Sequence, residues 1–400
     1  IETKYGKPSS KIACGKISDA EVCILARHGK NHDIPPSQVN YRANIAALKI
    51  LGCNYVIGTS AVGSLKEEIK PGDLVFPDQF IDFTKQRKNT FYDEIGEVKH
   101  TEMAEPFSGY LRKILIQASD ELGFKKHDKA TIAVIEGPRF STRAESFMFK
   151  NFADIIGMTT VPECILAKEA GLEYASIAMS TDYDCWKEGE ESVTFDMVVK
   201  RMKDNADKVK KLLVRGIEKI ISNDEKFIKS KIRTIPDFPK PGVMFRDITT
   251  LIQDAEGFSK TIKIFEDRYK NKEIDLVAGI ESRGFVFASA LASRLNKGVV
   301  LLRKPGKLPY KTVAQEYDTE YSRDKIEVHE DAIKQGEKVL LTDDLLATSG
   351  TMVAACNLIK KLGGEIVECA CVIELEDLGG RKKLEDKGYN LFSIVKFGGE

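Results

Sequence analysis

No apolar run in this chain of 400 residues approaches the ~20 residues that a membrane-spanning helix needs. Neither sign of charge is in excess, because 61 lysines and arginines balance 61 aspartates and glutamates. This balance gives no general case for a nucleic-acid or membrane partner. No secretory signal pattern is found in the opening residues. We therefore expect a cytoplasmic protein that binds neither nucleic acid nor a membrane.

Cysteine is scattered, and the eight cysteines show no paired CxxC spacing. Cys369 and Cys371 lie two positions apart on a predicted strand, so they face the same side of it. We interpret the cysteines as buried thiols, which fits a reducing cytosol.

Two domains are expected, because 400 residues exceed what one compact core usually holds. Short runs rich in β-branched residues alternate with helical patterns over residues 1–220, and the alternation restarts after residue 231. The polar segment 222–231 is either a flexible linker or a continuation of the preceding helix. We predict α/β domains at 1–222 and 232–400, joined by a linker at 223–231.

The predicted strands are 22–25, 55–59, 73–77, 129–135, 174–178, 276–280, 299–303, 339–343, 368–373 and 392–395. The predicted helices are 38–51, 109–122, 143–149, 162–170, 194–221, 257–269, 285–295, 352–362 and 379–387.

The run 339–351 carries the strongest functional signal. Its apolar first part leads into two adjacent carboxylates, Asp343 and Asp344, and a helical pattern begins at Met352. Carboxylates at this position suit ribose hydroxyls, or a Mg²⁺ ion that keeps most of its waters. The glycine and lysine spacing of a P-loop is absent, so we predict a site for a phosphorylated sugar.

The turn before this helix adds donors for an anion. Backbone N–H groups of residues 347–351 lie at the predicted helix N-terminus, where the helix dipole also favours negative charge. The hydroxyls of Thr348, Ser349 and Thr351 can donate to the same phosphate. A buried strand with a polar helix cap is the structural alternative.

The run 339–351 resembles the phosphoribosyl-diphosphate signature of the type I phosphoribosyltransferases. Three flanking motifs, at 233–248, 278–285 and 302–309, resemble the adenine phosphoribosyltransferases of that family in the same order. The likeness extends from about residue 231 to residue 397. It implies a parallel α/β sheet, a Mg²⁺ cofactor, dimers, and transfer of a phosphoribosyl group to adenine.

The resemblance also implies site residues. Val243, Phe245 and Arg246 match the adenine clamp, and the segment 314–322 matches the mobile lid that excludes water. In that lid, Glu320 is the candidate for handling the N7/N9 proton of adenine, and Tyr321 for covering the pyrophosphate. A surface loop without function is the alternative to the lid. Phosphoribosyl-diphosphate binding is expected of Arg283, Arg303, Lys304, Lys307, Asp343, Asp344, Ala347, Thr348, Ser349, Gly350 and Thr351.

Ser349 and the basic cluster are the two parts of this predicted phosphoribosyl-diphosphate site for which an alternative exists. The family has glycine where this chain has Ser349, so a positive φ at that position would strain the turn. The basic cluster could also be a solvated face, and pyrophosphate is expected to meet Arg283 and Lys307 more closely than the other two. Mg²⁺ is expected to bind through substrate and waters, with Asp343 and Asp344 as candidate ligands.

In the first half, Arg27 and His28 directly follow the predicted strand 22–25, at a strand end where α/β sheets usually bind ligands. Both side chains can donate to a phosphate, although a structural ion pair is the alternative. The small, hydroxylated segment 59–64 follows the next strand and can bring backbone N–H groups close to an anion.

Motifs at 135–140, 156–163 and 180–186 complete a set that resembles the trimeric purine nucleoside phosphorylases. Within that family the set is most similar to the methylthioadenosine phosphorylases, and the likeness covers residues 1–220. It implies a mixed sheet with flanking helices, trimers, and phosphorolysis of 5′-methylthioadenosine to adenine and 5-methylthioribose 1-phosphate without a cofactor.

The chemistry of this reaction makes demands on the site. The leaving purine accumulates negative charge and needs a proton at N7. Asp182, if burial keeps it neutral, can deliver that proton, or it can accept a hydrogen bond from an exocyclic amine. The related enzymes that cleave guanine and hypoxanthine nucleosides carry Asn there, so Asp indicates adenine. Asp184 would support the same edge of the base.

By the same resemblance, phosphate is bound by Arg27, His28, Ser60, Ala61 and Thr159, with Ser60 where the family usually has Thr. The nucleoside is bound by Phe140, Met158, Asp182, Tyr183, Asp184, Val193, Phe195, Val198 and His100. Among these, Phe140 would lie against the purine, and Met158 would contact the ribose. The apolar residues 193, 195 and 198 would receive the methylthio group, with core packing as the alternative. His100 would reach the 5′ pocket of a neighbouring subunit, unless it is a surface residue.

The phosphorylase family opens with a strand and a glycine-rich turn that binds phosphate, and this chain begins at Ile1, after that turn. We therefore expect a fragment of a longer protein. Our first hypothesis is a bifunctional homo-oligomer that releases adenine and then converts it to AMP with phosphoribosyl diphosphate. The second is an adenine phosphoribosyltransferase with an inert, phosphorylase-like oligomerisation module. A ligand-sensing second half without catalysis is disfavoured by the lid and by the absence of a DNA-binding helix pair.

Overall fold

The computed structural model describes residues 1–18, 20–189, 194–318 and 323–398, with the backbone alone at 195–198, 202, 204, 318 and 323. The chain divides into two compact units, residues 1–221 and residues 222–400. No helix among the described residues is long and apolar enough to cross a bilayer.

The strands of the first unit are β1 (Ala13–Ile17), β2 (Ala20–Ile24), β3 (Tyr55–Ser64), β4 (Leu74–Val75), β5 (Gln79–Asp82), β6 (Lys126–His127), β7 (Thr131–Val134), β8 (Ile155–Gly157) and β9 (Glu173–Asp182). Its helices are α1 (Tyr41–Ile50), α2 (Gly109–Glu121), α3 (Arg143–Phe149), α4 (Thr160–Glu169) and α5 (Phe195–Ser230). A 3-10 turn occupies Pro36–Gln38. Helix α5 continues through residues 222–230, the polar segment noted in the sequence.

Among the described residues, seven strands of the first unit form one sheet in the order β5-β7-β8-β3-β9-β4-β6. Strand β3 runs parallel to β9 but antiparallel to β8, so the sheet is mixed, as predicted. Helix starts follow local capping chemistry: Asn40 accepts from Ala43 N, and Ser108 accepts from Leu111 N. The resulting helices pack apolar faces on the sheet, where Ile45 and Leu111 are fully buried.

The strands of the second unit are β10 (Arg233–Ile235), β11 (Phe245–Asp247), β12 (Leu276–Ile280), β13 (Gly298–Leu302), β14 (Thr312–Asp318), β15 (Arg323–His329), β16 (Lys338–Leu346), β17 (Glu365–Leu375) and β18 (Leu391–Phe397). Its helices are α6 (Thr249–Gln253), α7 (Ala255–Tyr269), α8 (Gly284–Leu295), α9 (Gly350–Lys361) and α10 (Gly380–Glu385), with a 3-10 turn at Glu376–Leu378.

Five described strands of the second unit form a parallel sheet in the order β13-β12-β16-β17-β18, which confirms the predicted class. Strand β17 is buried on both faces over most of its length, as expected where helices cover a parallel sheet. The described part of the predicted lid, residues 314–318, lies on β14, which pairs antiparallel with β15. Glu320 and Tyr321 lie outside the described residues.

Several strands are longer than predicted, and the extensions of β3, β9 and β16 include predicted site residues. Strand β3 extends to Ser64, so Ser60 and Ala61 lie inside it, and β16 extends to Leu346, past Asp343 and Asp344. Small, hydroxyl and acidic residues have low strand propensity, which is why the sequence indicated earlier ends. Pairing with neighbours on both sides, β9 and β8 for β3, outweighs that preference.

The interpretation of every cysteine as a buried thiol is wrong for four of them, because Cys53 and Cys185 are only half-buried and two others form a disulfide. Cys14 and Cys23 are register partners on the hairpin β1–β2 and form a disulfide with a Cα–Cα distance of 4.2 Å. This register was not predicted, because only the second of the two strands was identified in the sequence, at 22–25. Burial is confirmed for Cys164, Cys356, Cys369 and Cys371.

Candidate functional site

In the first unit, three strand ends converge around Gly63. This residue pairs with Asp182 on β9 and with Ile156 on β8. A methyl group added at Gly63 would lie 3.0 Å from Asp182 Oδ1, so the two strands approach as closely as glycine allows. Met158 directly follows β8, and a methyl at Gly137, beyond β7, would lie 2.6 Å from its sulfur. The sheet therefore assembles these predicted site residues at one place.

Asp182 ends β9 and is held in one orientation. Its Oδ1 accepts from the Asp184 N–H at 2.8 Å, and its Oδ2 accepts from the Thr181 hydroxyl at 2.7 Å. Burial raises the pKa of Asp182, although these two hydrogen bonds oppose the shift. Burial likewise raises the pKa of the Asp184 carboxyl. Carboxyls that retain a proton to higher pH can donate it to a base.

Arg27 forms the ion pair that was the alternative to phosphate binding. Its Nε and Nη2 donate to Glu163 at 2.8 and 2.6 Å, and its Nη1 donates to the Thr59 carbonyl at 3.0 Å. Burial disfavours the charge of Arg27, but the attraction and hydrogen bonds of Glu163 outweigh it and raise the pKa. The guanidinium is therefore fixed and charged.

His28 lies beside Arg27, with its Nδ1 2.8 Å from the carbonyl oxygen of Ile34. A carbonyl oxygen only accepts, so Nδ1 carries the proton. Burial lowers the pKa of His28, with the Arg27 charge acting in the same direction. The neutral ring then offers Nε2 as an acceptor for a protonated phosphate oxygen, rather than the donor expected from the sequence.

Of the other predicted phosphate ligands, Ser60 and Thr159 are buried and Ala61 is half-buried. The hydroxyl of Ser60, 8 % exposed, has no hydrogen-bond partner among the described residues. Thr159 precedes α4, and its side chain makes no capping hydrogen bond there. Ala61 lies beside Ser60 on β3. A buried hydroxyl without a partner is costly, so a ligand that accepts or donates here would be favoured.

The predicted nucleoside-binding residues differ in their exposure to solvent. Phe140 is 39 % exposed, whereas Tyr183 packs at a right angle against Trp186 in a hydrophobic cluster. His100 is exposed between β5 and α2. Val193 lies outside the described residues, as do the side chains of Phe195 and Val198. The methylthio pocket therefore stays a prediction.

Sequence reasoning missed Arg87, whose side chain is 1 % exposed. It donates to the Glu136 carboxylate at 3.0 Å and to the backbone carbonyls of Glu136, Met158 and Val161. One guanidinium thus ties together the segments that follow β7 and β8. Its polar surroundings in the sequence resemble an exposed loop, which left no periodic signal.

In the second unit, β12 and β16 are parallel neighbours, and their carboxyl ends bring Arg283 and Asp344 together. Arg283 Nε lies 2.7 Å from Asp344 Oδ2. The same guanidinium lies 5.9 Å from the centre of the Phe245 ring. The predicted adenine clamp and the predicted pyrophosphate residues therefore meet at Arg283.

Asp343 and Asp344 differ in environment. Burial, reinforced by repulsion from Asp344, raises the pKa of Asp343 well above its ordinary value. Asp343 Oδ1 accepts the Asp344 N–H at 2.8 Å, and a methyl at Gly284 would lie 2.9 Å from it. The described residues contain no group of three or more acidic, histidine or cysteine side chains that could hold a metal. Two carboxylates fit a Mg²⁺ that takes its other ligands from substrate and water.

The turn before α9 has the strained backbone that was expected if Ser349 adopts a positive φ. Ser349 adopts φ +71° and is 5 % exposed, directly before Gly350 at the start of α9. Side chains other than glycine rarely adopt this region, so the turn carries a local energetic cost. Ala347, Thr348 and Thr351 flank this position, as predicted from the order of the motif.

The basic side chains that follow β13 have different partners. Arg303 is held by Glu281 at 3.1 Å and donates to the Lys307 carbonyl, and Lys304 lies 3.6 Å from Asp324. Burial would raise the pKa of Glu281, but its bonds to Arg303 and to the Lys304 N–H lower it. Lys307 is exposed.

Of the adenine clamp, Phe245 packs edge-on against Phe238 at 5.2 Å, and Val243 is 36 % exposed. Arg246 donates to the Thr234 hydroxyl at 2.7 Å and lies 4.5 Å from the Phe397 ring. Its Nη1 is thus engaged by a protein group, whereas its buried Nε has no hydrogen-bond partner among the described residues. Sequence reasoning also missed Tyr317, whose hydroxyl lies 3.4 Å from Asp324 and whose pKa burial raises.

Comparison with known proteins agrees with this architecture. Residues 1–218 match the family model of the phosphorylase superfamily, and residues 249–399 match that of the phosphoribosyl transferase domain. The chain belongs to the phosphorylase superfamily and continues into a phosphoribosyltransferase domain. Both are families of pentosyl-transferring enzymes.

Particular relatives match the first half. An S-methyl-5′-thioadenosine phosphorylase of Danio rerio is 53 % identical over 231 residues, which covers 56 % of this chain and 82 % of the relative. One of Thermococcus kodakarensis is 54 % identical over 220 residues, covering 55 % and 84 %. The solved methylthioadenosine phosphorylase of Schistosoma mansoni in complex with adenine has 44 % identity and a TM-score of 0.54, covering 55 % and 83 %.

Proposed function

We propose that the protein is a bifunctional purine-salvage enzyme that also serves methionine salvage. Its first domain would cleave 5′-methylthioadenosine with phosphate, and its second would convert adenine and phosphoribosyl diphosphate to AMP and pyrophosphate. The observation that carries the first activity is the pair of buried carboxyls at Asp182 and Asp184, which both lie against Gly63 and whose pKa values are raised by burial. The identity to methylthioadenosine phosphorylases supports the choice of substrate.

In the first reaction, Asp182 would hold a proton for N7 of the leaving adenine, and Asp184 would support the same edge of the base. Phosphate would bind at Arg27, His28, Ser60, Ala61 and Thr159. The fixed charge of Arg27 and the buried hydroxyl of Ser60 suit an anion that approaches the ribose. No cofactor is needed for this chemistry.

In the second reaction, Arg283 would bind pyrophosphate beside the turn 347–351, and Phe245 would stack on adenine. Mg²⁺, when bound, would neutralise charge on the diphosphate, with Asp343 and Asp344 nearest to it. Glu320 and Tyr321 would close the site through the hairpin β14–β15. A cytoplasmic homo-oligomer completes the proposal.

The test is one incubation of the 400-residue chain with methylthioadenosine, phosphate, Mg²⁺ and phosphoribosyl diphosphate, followed by chromatography of adenine and AMP. A parallel reaction receives free adenine. AMP from both substrates is the expected result. AMP from free adenine only, with no adenine released from methylthioadenosine, would leave the first domain as an inert oligomerisation module. AMP from neither substrate would overturn the assignment of the second domain, and adenine release would still decide the first.

A further inference from the structure

Glu163 is a buried carboxylate that the proposed chemistry does not use. It is 6 % exposed, lies in the first turn of α4, and accepts from three donors. Two are the Nε and Nη2 of Arg27, at 2.8 and 2.6 Å, and the third is the hydroxyl of Tyr174, at 2.7 Å. Such a charge persists in a protein interior only when its partners are held in place.

The hydrogen bonds between Glu163 and Arg27 leave one edge of the guanidinium available for a ligand. Guanidinium carries five N–H groups. Glu163 takes one from Nε and one from Nη2, and the Thr59 carbonyl takes one from Nη1 at 3.0 Å. The remaining two, one on each Nη, have no acceptor among the described residues. A pair of this kind binds a tetrahedral oxyanion through two parallel hydrogen bonds.

The surroundings fix Glu163 from the opposite side. Tyr174 lies on β9, and a methyl group added at Gly58 of β3 would overlap its hydroxyl and lie 3.0 Å from Glu163 Oε2. The same turn of α4 follows Thr159, a predicted phosphate ligand. Strand β3, Tyr174 and the first turn of α4 thus hold the Glu163 carboxylate against the Arg27 guanidinium.

We propose that Glu163 is a positioning residue, which together with Tyr174 holds Arg27 so that its two remaining N–H groups face the phosphate of the phosphorolysis reaction. This role rests on the proposed function of the first domain. It competes with a simpler electrostatic effect, because a carboxylate close to the site also repels phosphate. The two effects have opposite signs, so measurement separates them.

The test uses two substitutions of one residue. Glu163→Gln keeps the length of the side chain but replaces a carboxylate oxygen with an amide N–H, which cannot accept from Arg27. Glu163→Asp keeps the negative charge but moves it away from Arg27, because the side chain is shorter. Positioning predicts that both raise the KM for phosphate about tenfold or more, as loss of a supporting hydrogen bond does at other anion and metal sites, while the KM for methylthioadenosine changes little. A lower phosphate KM in Glu163→Gln would overturn the proposal, because electrostatic repulsion would then dominate.

Two further variants exclude a merely structural effect. Tyr174→Phe removes one bond from Glu163 without touching Arg27, and it should raise the phosphate KM by a smaller factor. Glu169→Gln is the matched control, since Glu169 is also a buried carboxylate of α4 but accepts from Thr90 and Phe91 at 2.8 Å. It should lower the melting temperature with the phosphate KM unchanged. Equal KM changes in this control would contradict a specific role for Glu163.

The outcome remains decisive if the wild-type chain shows no phosphorolysis, which would refute the proposed function of the first domain. Phosphate should then still raise the melting temperature of the wild-type chain, and raise it less in Glu163→Gln and Glu163→Asp. Equal phosphate-dependent shifts in all three proteins would overturn the positioning role independently of catalysis.

Discussion

Asp182 shows how much of a residue's chemistry comes from its neighbours. In the sequence it is one acidic residue among 61, and its proposed role came from a motif. In the fold it ends a buried strand, and burial raises its pKa while Thr181 and Asp184 orient both of its oxygens. Geometry and protonation together make it a candidate proton donor.

We expect Asp182→Asn to lower the kcat of methylthioadenosine phosphorolysis about 100-fold, because an amide cannot transfer the proton. The pH dependence of the phosphorolysis rate tests the same role. At a pH well below its raised pKa, Asp182 is fully protonated. The wild-type rate should therefore fall as the pH rises through the pKa of Asp182. This limb should be absent from the residual activity of the variant. Asp207→Asn, on the exposed side of α5, is the control that should leave the profile unchanged.

The same burial makes Asp182 a pH-dependent contributor to stability. The folded chain holds the proton more tightly than the unfolded chain does. Its contribution is therefore present at low pH and is lost as pH rises from the unfolded towards the folded pKa.

Ser349 shows a residue in conflict with its backbone. Its φ of +71° suits glycine, so Ser349→Gly should stabilise the turn before α9 by about 0.5–1 kcal/mol, the strain relieved less the entropy that glycine loses. Hydrogen exchange of the first turn of α9 should become slower. Ser349→Ala keeps the Cβ and therefore the strain, and it should show no such slowing; equal slowing in both variants would refute the explanation.

At the scale of elements, the candidate site of the first unit depends on loops being tied to each other. Arg87 joins the segment after β7 to the segment after β8 through carbonyl oxygens that no periodic pattern reveals. Lysine cannot replace this set of contacts, because its ammonium is a point charge without the planar fork.

We expect Arg87→Lys to lower the free energy of unfolding of the first unit by about 1–3 kcal/mol, because lysine leaves some of these buried carbonyl oxygens without a donor. The chain contains one tryptophan, Trp186, so its fluorescence during urea titration reports on this unit. Arg139→Lys alters an exposed pair with Glu145 and should leave the transition almost unchanged. A similar loss in both variants would mean that burial is not the cause.

At the scale of the molecule, each unit has its own sheet and its own hydrophobic core. The two reactions should therefore be separable. Asp182→Asn should lower AMP formation from methylthioadenosine about 100-fold but leave AMP formation from added adenine unchanged. Asp344→Asn, which removes the partner of Arg283, should reduce AMP formation about 100-fold with phosphorolysis intact. Loss of both activities in either variant would show that the units depend on each other.

Much of the architecture was accessible from the sequence because its signals are local. Strand 276–280 and helix 143–149 were predicted with the bounds that the structure has, since each is a continuous periodic run between clear breaks. The order of the motifs likewise identified both families before any contact was known. These features depend on neighbouring residues along the chain.

Other features depend on residues that meet only after folding. The ends of β3 and β16 were misjudged, because pairing on both sides outweighs local propensity. The Cys14–Cys23 disulfide follows from a hairpin register that the sequence did not show. The sequence by itself thus determined the two α/β families and the residues available to them. Only the tertiary structure decided that Arg27 meets Glu163, 136 positions away, since that choice depends on long-range strand pairing and burial.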